Sequence, residues 1–445
     1  MTTYHVWTVG CQMNVADSER MSAALDRLGC TPTDQLEAAD VIVLNSCVVR
    51  QGAEDKVAGR LGALAQVKRQ RPEAVIALMG CMVGPGTRDL KRRFPHVDCF
   101  MRPQEFGPLV RLVEARSGAC LDSSELLVPS HPSVATYIPI THGCDKFCTF
   151  CIIPYRRGRE VSRPIAEVVK EVEMLAKRGV KEVTLLGQNV DSYGDDLPEP
   201  RDLADLLEAV NAVPAVKRIR FLTSHPNDMS QKIIDAVARL EKVCEFVNLP
   251  VQAGDDTVLA NMRRGYTREQ YFDLVGRIRA AMPKVGLTTD IIVGFPGETV
   301  PQFEQTVDLV RRVRFDKVHI AQYSPRPGTI SYRKLPDDVS PEEKSRRFHV
   351  LDALQAEISH QINREMVGTT EEVLIEGRKD GRWHGRTRAN RLVYLAGEGA
   401  RTPGELVDAE ITKATTWSVE GTVKPDSIRK HPAQPGRLQI PVVAG

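Results

Sequence analysis

The chain has 445 residues, of which 42% are hydrophobic and 27% are charged, and its net charge is +2. This length predicts about three domains, and the balanced charge excludes nucleic-acid binding through the overall field, so such a contact must come from a local patch. We see no signal peptide and no apolar run that could cross a membrane. Ten cysteines in such a chain indicate the reducing cytoplasm, where clustered thiols bind metal or catalyse more often than they form disulfides.

The first 120 residues alternate apolar strands with amphipathic helices. Strands are predicted at 4–9, 41–45 and 74–79, and the first helix at 17–28. Apolar strands that are separated by helices predict a parallel sheet covered on both faces. Residues 1–120 are therefore predicted to form an N-terminal α/β domain, which an irregular linker over about 119–134 connects to the next unit.

The alternation then restarts and repeats about six times over 130–366. Helix 165–177 carries one apolar stripe that includes Val168, Val172 and Leu175, and a long helix is predicted at 341–365. About six βα units predict a full or partial β/α barrel of the TIM type. The predicted strands are 137–141, 182–186, 218–222, 246–251, 286–293 and 317–323.

The pattern changes again after residue 366. Residues 367–425 show β-type alternation with regular glycines, which predicts a small antiparallel β-barrel. Residues 426–445 contain Pro432, Pro435 and Pro441 and are predicted to form a flexible tail. The glycines are Gly377, Gly381, Gly385, Gly397 and Gly404.

Three cysteines lie within eight residues: Cys144, Cys148 and Cys151, which we name the loop cysteine group. A short loop with three thiolates can ligate three of the four irons of a 4Fe–4S cluster. The missing fourth ligand leaves one iron open, and an open metal site is where chemistry takes place. Zinc is the alternative metal, and it would need a fourth ligand such as His142.

The loop cysteine group follows the first barrel strand, so it lies on the C-terminal face where barrel enzymes keep their active sites. An open iron there could be chelated by the amine and carboxylate of S-adenosylmethionine (SAM), a cofactor of radical chemistry. Phe150 could pack on its adenine ring, and local core packing is the alternative. Glycines at strand ends permit close approach of the backbone to a ligand. The remaining candidate SAM contacts are Gly187, Gln188, Gln252, Ile292 and Val293.

Three further cysteines each follow a strand of the N-terminal domain: Cys11, Cys47 and Cys81, which we name the strand-end cysteine group. Because the carboxyl ends of parallel strands lie along one edge of a sheet, these thiols are expected to converge and could hold a second cluster. The alternative for each is a small buried hydrophobic residue, the usual fate of a free cysteine. That alternative is assigned to Cys30, Cys99, Cys120 and Cys244.

Two basic segments are candidate RNA contacts. Arg156, Arg157 and Arg159 follow the loop cysteine group and suit phosphate or carboxylate binding, unless they form a solvated turn. The small β-barrel interleaves further arginines with Trp383 and His384, which is typical of an RNA-binding platform, an ordinary charged surface being the alternative. The arginines of the barrel are Arg378, Arg386, Arg388 and Arg391.

Together these features resemble the radical-SAM methylthiotransferases, and the match extends from about residue 4 to 423. Within that family the motifs are similar to the MiaB type, which acts on isopentenylated tRNA. Ser46, Gln51 and the Met82–Val83–Gly84 segment depart from the usual pattern near the strand-end group. The motifs include Gly10-Cys11-Gln12-Met13-Asn14, Gly143-Cys144-Asp145-Lys146-Phe147-Cys148 and Gly385-Arg386-Thr387.

The resemblance implies two 4Fe–4S clusters, one on each cysteine group, and a partial β/α barrel between a cluster domain and a C-terminal TRAM domain. It implies that SAM is cleaved to a radical that removes hydrogen from carbon 2 of isopentenyladenosine in tRNA, where a methylthio group is then attached. The chain is expected to act as a monomer with an electron donor and a sulfur donor that the sequence does not name. The alternatives are the same chemistry on threonylcarbamoyladenosine in tRNA and a non-catalytic iron–sulfur RNA-binding protein.

Overall fold

A computed structural model describes residues 2–49, 51–121, 126–396 and 401–424. Gly397 and the predicted tail lie outside the described residues. The first unit is a parallel five-stranded sheet in the order β2-β1-β3-β4-β5, with an apolar cluster on each face, as predicted. Its elements are β1 (Thr3–Thr8), α1 (Gln12–Arg27), β2 (Thr31–Pro32), β3 (Val41–Ser46), α2 (Gln51–Gln70), β4 (Val75–Gly80), α3 (Arg88–Arg93), β5 (Cys99–Met101) and α4 (Gly107–Ser117).

Two features of this unit differ from the prediction. Helix α1 begins at Gln12, five residues earlier than the apolar spacing indicates, because its first turns also bury polar residues such as Asn14 and Asp17. The short strands β2 and β5 were not predicted, since two or three residues carry no periodicity.

The second unit is an open β/α barrel. Six parallel strands form two three-stranded sheets, β10-β9-β6 and β11-β12-β13, which a bridge between Ile219 and Val243 connects. Its strands are β6 (Ala135–Pro139), β7 (Thr141–His142), β8 (Val161–Ser162), β9 (Glu182–Leu186), β10 (Arg218–Leu222), β11 (Phe246–Asn248), β12 (Gly286–Val293) and β13 (Lys317–Gln322). Its helices are α5 (Ile153–Arg157), α6 (Ile165–Lys177), α7 (Leu203–Asn211), α8 (Gln231–Arg239), α9 (Asp256–Asn261), α10 (Arg268–Ala281), α11 (Val300–Val313), α12 (Ile330–Lys334) and α13 (Pro341–Glu365).

The third unit is a closed five-stranded barrel in the order β14-β15-β16-β18-β17. In the described part of the chain four of its pairings are antiparallel, and the pairing of β16 with β18 is parallel. The predicted barrel is thus confirmed, with one strand pair of opposite sense. Its strands are β14 (Thr370–Lys379), β15 (Arg382–Thr387), β16 (Leu392–Ala396), β17 (Leu406–Ala414) and β18 (Val419–Val423).

The three units pack on one another through defined contacts. Met13 and Ala16 of α1 pack against Leu186 at the end of β9. On the other side, the fully buried Arg218 pairs with Glu372 of the small barrel at 2.9 Å. No helix among the described residues is long and apolar enough to span a membrane. We retain 1–120, 130–366 and 367–425 as proposed domain limits.

Candidate functional site

The strand-end cysteine group converges at the carboxyl edge of the first sheet. Cys11 is exposed at the start of α1, whereas Cys47 and Cys81 are buried directly after β3 and β4. A hydrogen bond between the Cys11 and Cys47 thiols lowers the pKa of Cys11 to about 6 and, together with burial, raises the pKa of Cys47. The topology thus brings residues 11 and 47 into contact, and Cys81 lies close enough to influence both.

Two glycines make this convergence possible. Gly10 precedes Cys11, and a Cβ added there would lie 2.6 Å from the Cβ of Cys47. Gly80 precedes Cys81 at φ +96°, where a Cβ would lie 2.4 Å from Oδ1 of Asn45. Only glycine allows the strand ends to approach this closely.

A buried amide network fixes the edge below the thiols. Nδ2 of Asn14 donates to Oδ1 of Asn45 at 2.8 Å and to the carbonyl of Ser46 at 2.9 Å. Nδ2 of Asn45 in turn donates to the carbonyl of Asn14 at 2.7 Å and to Oγ of Ser18 at 2.9 Å. Because all four residues are buried, these hydrogen bonds hold α1 and β3 in one geometry.

The loop cysteine group is shaped by backbone turns. Gly143, at φ +76°, lies so close to Arg159 that an added Cβ would be 1.9 Å from the Arg159 carbonyl oxygen. The loop is anchored where the Thr149 amide donates to the carbonyl of Met262 at 3.1 Å. Burial raises the pKa of Cys144 to about 11 and that of Cys151 to about 12, so metal binding must displace both protons.

A buried arginine supports each cysteine group. Arg264 donates from Nη1 to Sγ of Cys148 at 3.2 Å and from Nη2 to the carbonyl of Pro250 at 2.8 Å. Arg157 donates from Nε to Sγ of Cys81 at 3.3 Å. Both contacts bring a positive charge to a thiol that must become a thiolate. The sequence carries no signal for Arg264, since 116 residues separate it from Cys148.

The chemistry of the donor set fits an iron–sulfur cluster. In a 4Fe–4S cluster each cysteine binds a different iron, and each group supplies three thiols for three irons. Among the residues that the structure describes, no three Cys, His, Asp or Glu side chains are arranged to hold a single ion.

The structure places the predicted SAM contacts in different environments. Gly187 is required, because a Cβ there would lie 2.2 Å from Oγ1 of Thr141. Gln252 joins β12 by exchanging backbone hydrogen bonds of 2.9 and 3.0 Å with Asp290 and Ile292. Oε1 of Gln188 is buried and has no hydrogen-bond partner in the described parts of the chain, so it is available to a ligand.

The other three predicted SAM contacts lie against the barrel core, where Ile292 is partly buried and packs on the main apolar cluster. Phe150 is half-buried and packs against the main apolar cluster, which agrees with the alternative of local core packing. Val293 is fully buried in that cluster. The contact of Val293 with SAM stays a prediction, and the buried side chain leaves the backbone of Val293 as the group for such a contact.

A polar network that the sequence did not reveal links the loop cysteine group to the ends of β9 and β10. Asp228 accepts from Nζ of Lys146 at 2.7 Å and from Nδ2 of Asn189 at 2.6 Å. Burial raises the pKa of the adjacent Asp191 to about 8 and lowers that of His225 to about 2. Lys146 lies within the Gly143–Cys148 motif and Asn189 directly follows Gln188, but neither position by itself indicates this network in the sequence.

The three predicted RNA-binding arginines that follow the loop cysteine group differ in exposure. Arg159 is 80% exposed and pairs with Asp145 at 2.7 Å. Arg156 is half-buried over Gly84. Arg157 is buried and donates a hydrogen bond to Sγ of Cys81, because α5 turns its side chain into the protein interior, and its predicted contact with RNA stays untested.

The arginines of the small barrel are divided in the same way. Arg378 is exposed and stacks over Trp383, with 5.6 Å between guanidinium and ring centre. Arg386 is partly exposed and lies 3.4 Å from Glu376. Arg388 pairs with Glu245 at 2.7 Å and Arg391 pairs with Asp316, so both side chains link the small barrel to the β/α barrel, and their predicted RNA contacts stay untested.

The four unassigned cysteines also differ. Cys30, Cys99 and Cys244 are buried, as the packing alternative requires. Cys120 is exposed, so the prediction of a buried hydrophobic role is wrong for this residue, which follows the end of α4 instead of entering the core.

Comparison with known proteins agrees with this arrangement. Residues 138–310 match the family model of the radical SAM superfamily, residues 3–102 that of uncharacterized protein family UPF0004, and residues 364–424 that of the TRAM domain. The radical SAM methyltransferase TsrM from Kitasatospora setae shares the fold at a TM-score of 0.56 and 14% identity, over 85% of this chain and 82% of that chain. The cobalamin-dependent S-adenosylmethionine radical enzyme OxsB shares the fold at a TM-score of 0.51 and 13% identity, over 78% of this chain and 56% of that chain.

Fold and site thus define a radical SAM protein that binds an iron–sulfur cluster. Curated relatives named tRNA-2-methylthio-N(6)-dimethylallyladenosine synthase are 48% identical over 424 residues in Dehalococcoides mccartyi and 49% over 429 residues in Chloroflexus aurantiacus. The alignments cover 94% and 95% of this chain, and 98% and 92% of the relatives. The chain belongs to the tRNA-2-methylthio-N(6)-dimethylallyladenosine synthase family.

Proposed function

We propose that this chain converts N6-dimethylallyladenosine in tRNA to its 2-methylthio derivative, with one 4Fe–4S cluster on the loop cysteine group and a second on the strand-end cysteine group. The observation that carries the proposal is a link between the segments of the two groups: Arg157, in the helix that follows Cys151, donates a hydrogen bond to Sγ of Cys81. A protein that needed only SAM cleavage would have no use for a second set of three thiols beside the first.

When bound, the cluster on the loop cysteine group supplies the electron that cleaves SAM, and the one on the strand-end cysteine group supplies the sulfur. The chain itself positions the reactants. Gln188 and Asn189 offer buried side-chain oxygens that have no hydrogen-bond partner among the described residues and can accept hydrogen bonds from the ammonium group of SAM. Gly187 lets the backbone approach the cofactor, and Arg264 holds Cys148 in place.

RNA contact is proposed for the arginines that remain accessible. Arg159 lies beside the loop cysteine group, and Arg378 presents a guanidinium on an aromatic ring at the surface of the small barrel. Phosphates and unstacked bases are recognised by such groups. We further propose that the chain acts as a monomer in the cytoplasm with external electron and sulfur donors.

The test is anaerobic incubation of the reconstituted protein with SAM, a chemical reductant and tRNA that carries N6-dimethylallyladenosine, followed by mass analysis of the nucleosides. We expect replacement of the hydrogen on carbon 2 by a methylthio group, together with 5′-deoxyadenosine. A parallel reaction uses tRNA that carries threonylcarbamoyladenosine.

The outcomes separate the alternatives. Modification of the threonylcarbamoyl substrate alone would refute the proposed substrate while keeping the chemistry. Absence of 5′-deoxyadenosine from protein that holds about eight irons per chain would point to a non-catalytic RNA-binding protein.

A further inference from the structure

Arg157 is a buried cation that lies between the two cysteine groups. It ends α5, the helix that begins two residues after Cys151, and only 2% of its side chain is exposed. Its Nε donates to Sγ of Cys81 at 3.3 Å, and its Nη2 pairs with Oδ2 of Asp17 at 3.3 Å. One residue therefore extends from the loop of one cysteine group into the domain of the other.

The whole segment around Arg157 is docked on the N-terminal domain. Ile152 belongs to the same apolar cluster as Cys81, and Tyr155 packs against that cluster. Nη1 of Arg156 lies over Gly84, 2.5 Å from where a Cβ would stand. Because α5 directly continues the loop cysteine group, this docking fixes the loop relative to the strand-end thiols.

The electrostatic balance of Arg157 is incomplete within the chain. Desolvating a charged group costs several kcal/mol unless a partner compensates it. Asp17 is fully buried and provides one such partner, but Nη1 of Arg157 and Oδ1 of Asp17 have no hydrogen-bond partner in the described residues. The guanidinium thus has a spare donor beside Cys81, where thiolate and cluster sulfur atoms are natural acceptors.

We propose that Arg157 is a positioning residue, which donates hydrogen bonds to sulfur atoms of the cluster on the strand-end cysteine group and fixes that cluster relative to the loop cysteine group. The inference rests on the proposed function, because it requires the second cluster. Hydrogen bonds and positive charge near the sulfurs of a cluster raise its reduction potential. Removal of Arg157 should therefore make the cluster harder to reduce.

The test uses the full chain with Cys144, Cys148 and Cys151 all changed to Ala, in which only the strand-end ligands remain. Into this background we introduce Arg157→Met, which keeps an unbranched apolar stem, and Arg157→Lys, which keeps the charge. The matched control is Arg20→Met, since Arg20 also joins the two domains, through Glu171 at 2.9 Å, without a cysteine contact. The measurements are iron and sulfide content, the electron paramagnetic resonance spectrum and the midpoint potential.

We expect Arg157→Met to lose at least half of the iron or to hold a cluster of more negative potential with an altered spectrum. Arg157→Lys should have an iron content and a midpoint potential between those of Arg157→Met and the background. Arg20→Met should have the iron content, spectrum and potential of the background. Identical potential, spectrum and iron in Arg157→Met and the background would overturn this inference alone. An iron-free background that still contains Arg157 would overturn the second cluster as well. If Arg157→Met does not fold, the test rests on Arg157→Lys. An iron content, spectrum and potential of Arg157→Lys that equal those of the background would then count against the inference.

Discussion

The three thiols of each cysteine group are brought together in opposite ways. The loop cysteine group lies within eight consecutive residues, and local turns such as the one at Gly143 shape it. The strand-end cysteine group is spread over residues 11 to 81, and three parallel strands with a buried amide network assemble it. One site is therefore encoded locally, whereas the other exists only when the whole sheet is folded.

This difference predicts separate vulnerabilities. Damage to the sheet should remove the strand-end cluster and spare the loop cluster. Damage to the loop should remove the loop cluster and spare the strand-end cluster. SAM cleavage reports on the loop cluster alone, whereas product formation requires both clusters.

Removing one ligand from each group gives the largest effect. Cys148→Ala should abolish 5′-deoxyadenosine and product together, since the open iron that binds SAM is lost. Cys47→Ala should retain SAM cleavage within about tenfold but yield no methylthiolated nucleoside. Iron should fall from about eight to about four per chain in both variants. Equal loss of 5′-deoxyadenosine in the two variants would show that the groups do not act separately.

The glycines that permit each geometry should give the next largest effect. Gly80→Ala forces a Cβ to within 2.5 Å of the Ser46 carbonyl oxygen, and Gly143→Ala does the same to within 1.9 Å of the Arg159 oxygen. Each substitution also occupies a positive φ and should cost more than about 2 kcal/mol locally. We expect Gly80→Ala to lose the strand-end cluster and Gly143→Ala the loop cluster, measured by iron content and spectrum.

Gly59→Ala is the matched control for both. Gly59 is exposed within α2, with no atom within 4 Å of an added Cβ. Alanine should stabilise this helix by about 0.5–1 kcal/mol and leave both clusters intact. If Gly80→Ala behaved like Gly59→Ala, the close packing of the strand ends would not be needed.

The smallest effects concern the supporting hydrogen bonds. Asn45→Ala removes the hydrogen bonds that the Asn45 side chain makes with Asn14 and Ser18 and should cost roughly 1–3 kcal/mol, seen as a lower urea midpoint and a partial loss of the strand-end cluster. Thr149→Val removes one bond of 2.8 Å to the Asn261 carbonyl and should cost about 1 kcal/mol while the loop cluster persists. A larger effect at Thr149 than at Asn45 would reverse the comparison of the two sites.

Much of the fold followed from periodicity alone. Four elements have the predicted limits, because a long apolar pattern fits only one placement of the helix or strand along the sequence. They are the helices Ile165–Lys177 and Pro341–Glu365 and the strands Glu182–Leu186 and Gly286–Val293. The start of α1 was missed because its first turns bury the polar residues Asn14, Asp17 and Ser18, which an apolar pattern does not show. The parallel β16–β18 pair was missed because strand order in a small barrel depends on closure, which no single strand encodes.

The sequence by itself determined the ligand chemistry of the site. Three cysteines in one loop indicate a cluster with an open iron, and three cysteines after parallel strands must share one sheet edge, since strand direction is set by the alternation with helices. Only the tertiary structure decided which charges serve these thiols. Arg264 and Arg157 reach Cys148 and Cys81 from distant parts of the chain, while Arg388 and Arg391 are used in domain packing. The reason is physical: an arginine in a sequence is equally suited to RNA, a carboxylate or a thiolate, and burial selects among them.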